Sequence, residues 1–208
     1  MPFTITDLFN AAFAAIGDET PIGNAESDTS RKAVIARLRW PIIRDAILRS
    51  HKWNCAMKRA TLPPDAVKPV WSSASENYFT LPSDPYCLRI IEVQNVGEPF
   101  QVEGRKIISP STALSLKFIG RIDISEFDSL LLDACVDALG AELALPLTGS
   151  PEMRKSLYDG VFAQGGKLGW ARTIDGQEGT TRRPRMRPLI DIRRGRGGTA
   201  GPRELDNE

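Results

Sequence analysis

The hydrophobic period of this chain changes twice, and that limits what it can fold into. Ile5, Leu8, Phe9, Ala12, Phe13 and Ile16 share one helical stripe. Thr4 or Thr6 is placed to cap its start, and Gly17 suits its stop. After a loop, Asp28 is placed to cap a second helical stretch over about residues 29–50. Its expected inward stripe is Val34, Leu38, Ile42, Ala46 and Leu48, broadened by Ile35, Ile43 and Ile47. Pro41 lies inside it, where a proline removes a backbone donor and kinks or interrupts a helix. From Trp53 the pattern becomes short runs rich in aromatic and β-branched residues, separated by Pro63-Pro64, Pro82 to Pro85, Gly97 and Gly104. These read as strands of a small antiparallel sheet. Helical spacing then returns. Ser125 is placed to cap a run over 126–145, and Ser150-Pro151 opens a fourth helix over about 151–172, with Met153, Leu157, Val161, Phe162 and Leu168 inward and Gly165-Gly166 weakening its second half.

The order is two helices, a sheet, two helices and a tail. Sequential helices pair most economically as a bundle, so the sheet reads as an insertion. The expected class is α+β: an antiparallel bundle of about four helices with an inserted small antiparallel β-sheet domain and an extended C-terminal arm. The expected boundaries are 1–52 and 123–175 for the bundle, 53–122 for the sheet and 176–208 for the arm.

The arm has an unusual composition. Seven arginines fall between Arg182 and Arg196, with Asp191 the only acid among them. Pro184, Pro188 and Pro202 forbid a continuous helix, and Gly195, Gly197, Gly198 and Gly201 disfavour any regular element. Net charge is +1 for the whole chain, so the body is close to neutral and the positive charge is concentrated at its end. Such asymmetry points to nucleic acid or to an acidic protein surface. Met186, Leu189, Ile190 and Ile192 lie among the arginines. A tail that only grips phosphates has no use for that apolar patch. A tail laid along a protein groove does, with guanidinium forks on carboxylates and aliphatic side chains in pockets. The docking residues expected from this reading are Arg182, Arg183, Arg185, Arg187, Leu189, Ile190, Ile192, Arg193, Arg194 and Arg196.

Catalytic signals are weak. His51 is the sole histidine, and Cys55, Cys87 and Cys135 are too scattered for a zinc site or a redox pair. Such sparse thiols fit a reducing compartment, no charged start of a signal peptide precedes Arg31, and no apolar run reaches the ~20 residues of a membrane helix. Gly165-Gly166-Lys167-Leu168-Gly169 resembles a phosphate loop only superficially. Asp133 and Asp137 lie one helical turn apart, a pair that a metal-dependent nuclease could use, but a solvated or partner-facing acidic face is the plainer reading. The chain is read as having no enzymatic activity and no cofactor. The second helix is basic and the third acidic, and this complementarity is either internal or runs between neighbouring copies. In the second case Arg37, Arg39 and Arg44 of one copy face Asp133, Asp137 and Glu142 of the next.

Several stretches, taken in order, resemble one family. They are Ile16-Gly17 followed by Pro21-Ile22, and Trp40-Pro41-Ile42-Ile43-Arg44-Asp45-Ala46-Ile47-Leu48-Arg49 leading into Trp53-Asn54. Tyr78-Phe79-Thr80-Leu81-Pro82-Ser83-Asp84 and Cys87-Leu88-Arg89-Ile90 come next, then Phe118-Ile119-Gly120-Arg121, Phe127-Asp128 and Leu139-Gly140-Ala141-Glu142-Leu143-Ala144. Over about residues 4–178 the pattern resembles the podovirus tail tubular protein A family, the head-to-tail adaptors of short-tailed phages. The resemblance implies a structural virion protein at the portal vertex, assembled in the host cytoplasm. Twelve copies would form a homo-oligomeric ring between the portal protein and the tail nozzle protein. Double-stranded DNA would be passing cargo only, no membrane would be involved, and the arm would reach along the portal. The competing reading is a nucleic-acid-binding protein that uses its arginine-rich tail.

Overall fold

A computed structural model describes residues 3–70, 75–94 and 100–178. Within them the fold is mixed α+β, with five α-helices and two small antiparallel sheets. The described residues up to Gly176 form one compact unit.

Helix α1 (Ile5–Ala15) forms as its sequence dictates. The Thr4 hydroxyl accepts from the Asp7 N–H (3.2 Å), and the Asp7 carboxylate accepts from the Thr4 N–H (2.9 Å). This reciprocal cap satisfies two of the donors that a helix start leaves open. Leu8, Phe9, Ala12 and Phe13 are fully buried. Thr6, the other candidate cap, instead accepts from the Ala25 N–H of the following loop (3.1 Å).

Helix α2 (Arg31–Ser50) departs from expectation in three ways. The N-cap position is Ser30 rather than the expected Asp28, and Asp28 accepts from the Ser30 N–H (2.7 Å). Pro41 sits within an uninterrupted helix. The inward stripe is Ala33, Ala36, Trp40, Ile47 and Leu48, with Ile43 half-buried. Val34, Leu38 and Ile42, expected inside, are exposed, Leu38 and Ile42 by 68% and 65%. The buried set follows the three-and-four spacing of a packing seam, and its small alanines let the helix approach the core closely. Val34, Leu38 and Ile42 form a second apolar stripe at four-residue spacing.

Two sheets stand where one was expected. The first has strand order β1 (Met57–Leu62), β6 (Leu114–Gly120), β3 (Cys87–Gln94). The second has order β2 (Asn77–Thr80), β5 (Lys106–Ser109), β4 (Gln101–Glu103). All pairings are antiparallel, with Met57 opposite Ile119 and Leu62 opposite Leu114. Gly104, at φ +57°, turns the tight β4–β5 hairpin. Strand β6 is shared between two cores. Leu114, Leu116 and Phe118 pack with Leu62, Phe79 and Ile107 in a cluster built from the strands and the segments beside them. Ile119, on the other face, joins the helical core with Trp53, Leu131 and Leu139.

Helix α3 (Ser129–Thr148) starts at Asp128, whose carboxylate accepts from the Leu130 N–H (2.8 Å); residues near Ser125 form a short 3-10 turn instead. Its central residues are buried, and it packs against α1, α2 and α4. Gly140 lies where both α1 and α4 approach: a Cβ there would stand 3.5 Å from Ala15 and from Leu157.

The single fourth helix of the sequence reading is two helices, α4 (Pro151–Phe162) and α5 (Lys167–Gln177). Ser150 caps α4 by accepting from the Met153 N–H (3.2 Å), with Pro151 in the first turn as expected. The break follows from the two glycines. Gly165 adopts φ +84°, and a Cβ at Gly166 would fall 2.7 Å from the Val161 carbonyl. Val161 and Leu168 are buried, Met153 and Leu157 are half-buried, and Phe162, expected inward, is 42% exposed.

Candidate functional site

The expected interface groups mostly find partners inside their own chain. Arg37 donates from Nε to the Ala25 carbonyl (3.0 Å) and from its guanidinium to the Asp28 carbonyl, so it holds the loop before α2. Arg44 Nε donates to Asp45 (3.0 Å), and Asp45 also accepts from Arg121. Asp133 and Asp137 both pair with Lys167 of α5, at 2.9 and 2.6 Å. Glu142 lies 3.6 Å from Arg154 of α4. Of the six, Arg37 is held by carbonyls alone, and Arg39 alone has neither a hydrogen-bond nor an ion-pair partner among the described residues. The acid face of α3 is therefore answered first by α4 and α5. Partial burial works against the Lys167 charge, but the Asp137 and Asp133 carboxylates outweigh it and raise its pKa. The lysine of the glycine-rich stretch is thus committed to carboxylates. The docking residues from Arg182 to Arg196 lie outside the described residues.

His51 is a structural joint. Its Nε2 lies 3.2 Å from the Asp175 carboxylate, which also accepts from the Asn54 N–H (2.9 Å). The Asn54 side chain donates in turn to the Asp175 carbonyl (2.7 Å). Arg172 donates to Ser50 Oγ (2.8 Å), and the His51 ring stands edge-on to Trp53 at 4.7 Å. Helix α5 is thereby clasped to the corner where α2 hands over to β1. Sequence reading missed this clasp because Asp175 is 121 residues from Asn54, and nothing in a lone aspartate marks its partner. Replacing Asp175 with alanine removes the acceptor of two contacts, one half-buried and one exposed, and is expected to lower stability by about 1 kcal/mol. A urea titration would show this as a lower midpoint with an unchanged slope.

The thiols are buried or half-buried. Burial pushes Cys135 up to about 12, and it raises Cys55 and Cys87 as well. Burial and a raised pKa suit packing rather than thiolate chemistry. Among the described residues no three or more His, Cys, Asp and Glu side chains converge on a metal position. None of their helices is long and apolar enough to cross a membrane.

An apolar groove of about 470 Å³ lies between α2, α3, α4 and α5. Ile42, Ile43 and Ile47 form one wall, and Ala138, Tyr158, Phe162 and Leu168 the other, with Arg39, Glu142 and Arg172 also lining it. The Tyr158 and Phe162 rings lie 4.6 Å apart. The groove borders the exposed stripe of α2 through Ile42. Trp170, also on α5, is 58% exposed. Exposed apolar side chains in such number mark a surface made for contact. Compared with known proteins, the chain matches no family model and no curated sequence.

Proposed function

We propose that this chain is a structural head-to-tail adaptor of a short-tailed phage. Copies repeat in a ring of about twelve between a portal protein and a tail nozzle, and DNA passes through the middle. The helices act as an antiparallel bundle standing side by side with its neighbours, and the arm reaches along the portal. Support comes first from the ordered resemblance over residues 4–178. The structural observation that carries the reading is the second apolar face of α2. A monomeric enzyme has no use for Val34, Leu38 and Ile42 in water, whereas a repeated subunit does.

The occupant of that face is a second copy of the chain. A ring closed by one repeated contact needs two different surfaces on each subunit. One is the exposed stripe of α2 with its groove and the unpaired Arg39. The other includes the α3 acids, where Asp133 remains 55% exposed beside Lys167 and Asp137 is largely covered. Two carboxylates share one lysine there, which leaves a net negative charge for Arg39 of a neighbour to meet. Arg37, Arg44 and Glu142 add to the field of the two surfaces while keeping their own partners.

Leu38→Glu with Ile42→Glu tests this. Both positions are exposed, so the double variant is expected to melt within about 0.5 kcal/mol per site of the parent chain. Its assemblies, counted by electron microscopy and sedimentation, should disappear. Rings that form normally from this variant would refute the proposed contact.

A further inference from the structure

A second cleft, distinct from the apolar groove, lies where the C-terminal half of α2 meets β3 and the β4–β5 hairpin. Its volume is about 610 Å³, and Asp45, Arg49, Tyr86, Arg89, Arg105 and Arg121 are among the residues lining it. Four guanidiniums thus face one carboxylate. That carboxylate is already shared, since Asp45 accepts from both Arg44 and Arg121. Arg49, Arg89 and Arg105 have no carboxylate partner among the described residues.

Backbone carbonyls hold these three arginines in place. Arg49 Nη1 donates to the Leu88 carbonyl (3.1 Å), and Arg89 Nη1 donates to the Arg49 carbonyl (3.3 Å), so the two tie α2 to β3 reciprocally. Arg105 donates to the carbonyls of Pro82 (2.7 Å) and Leu81 (3.3 Å). The guanidiniums of Arg105 and Arg121 also lie over the Tyr86 ring, 3.9 and 4.5 Å from its centre. A carbonyl neutralises no charge, and each guanidinium carries five N–H donors. The carbonyls fix the side chains and leave both charge and donors over. Ordering entropy that long cations normally lose on binding is already spent in folding.

We propose that this cleft is a binding site for phosphate groups in series. A planar fork with fixed orientation suits phosphate oxygens, which it meets two at a time. Three unpaired cations in one cleft match a ligand with several adjacent negative charges better than a single carboxylate. Two sources carry that chemistry: the backbone of a nucleic acid and a free polyphosphate. The site draws on no residue of the arm, and it holds whether or not the chain forms a ring.

The experiment is calorimetric titration of the full chain at low salt with tripolyphosphate and, separately, with a short DNA duplex. Arginines of the arm attract anions too, so two variants are compared. Arg49→Gln with Arg89→Gln alters exposed cleft residues, whereas Arg193→Gln, Arg194→Gln and Arg196→Gln alter the arm. Tripolyphosphate should saturate one site per chain, weaken at least about tenfold in the cleft variant, and bind the arm variant as before. If the duplex follows the same pattern, nucleic acid backbone is a ligand; if only tripolyphosphate does, the ligand is a free polyphosphate. Equal binding of both probes by the cleft variant and the parent overturns the site, as does no binding by the parent. Should the cleft variant fail to fold, protection of Arg89 from phenylglyoxal by tripolyphosphate in the parent chain decides the matter, and unprotected Arg89 rejects the site.

Discussion

Removal of residues 182–208 is expected to leave a folded chain that no longer joins a portal protein. Among the described residues the helical and strand cores reach no further than Ala171, and truncation at 181 removes none of those core residues. What it takes away is the run of seven arginines with Leu189, Ile190 and Ile192. An arm that orders on a partner loses roughly 1–2 kcal/mol of chain entropy per residue. Guanidinium–carboxylate forks and buried aliphatics must outweigh that loss, and repetition around a ring multiplies whatever surplus remains. The effect should therefore be close to all or none. Circular dichroism and thermal melting should match the full chain, while electron microscopy with the portal should show no attached rings. Normal attachment of the truncated chain would end the docking-arm reading, without touching the side-by-side contact tested at Leu38 and Ile42.

Trp53→Ala is expected to produce the largest loss of stability from any single substitution, about 3–5 kcal/mol. Trp53 is 1% exposed, its indole N–H donates to the Ile47 carbonyl (3.0 Å), and its ring supports His51. Its removal opens a cavity at the joint between helices and sheet and takes from the Ile47 carbonyl one of its donors, leaving Ser50 Oγ (2.6 Å). Trp170→Ala is the control. At 58% exposed, its loss should change the unfolding midpoint little. A similar cost for both would mean that the core is not where the packing places it.

Local signals were the legible ones. Thr4 as one of two candidate caps, Ser150 with Pro151, and the stripe of α1 each carry their instruction within a few residues, and both helix starts and the α1 stripe match the reading. Choices between equivalent faces were not legible. Helix α2 has two apolar stripes, and bulk favoured Val34, Leu38 and Ile42, whereas packing selected Ala33, Ala36 and Trp40. Small residues are poor advertisements of a close approach. Gly165-Gly166 was read as weakening a helix, but the positive φ and the crowded Gly166 end it outright. The division into two sheets depends on which strands meet across 21 (Gln94 to Ser115) to 62 (Met57 to Ile119) residues, which alternation in any one strand does not encode.

The same limit applied to the candidate sites. Opposite charge on α2 and α3 was visible, but Lys167 and Arg154 reach the α3 acids first because the turn at 163–166 and the start of α4 put them there. Arg39 was the one expected contact left open. The clasp at Asp175 and the arginine cleft join residues far apart in sequence, several of them bound to backbone carbonyls that no sequence pattern reveals.

Strand β6 has a wider consequence. Phe118 and Ile119 are neighbours in the chain yet belong to different cores. Whatever loosens one core uncovers only one side of that strand, and the register set by the other side keeps it in place. A shift by one residue would send a phenylalanine among the helices and an isoleucine among the strands, spoiling both at once. The two halves therefore share one strand whose register neither can change without the other.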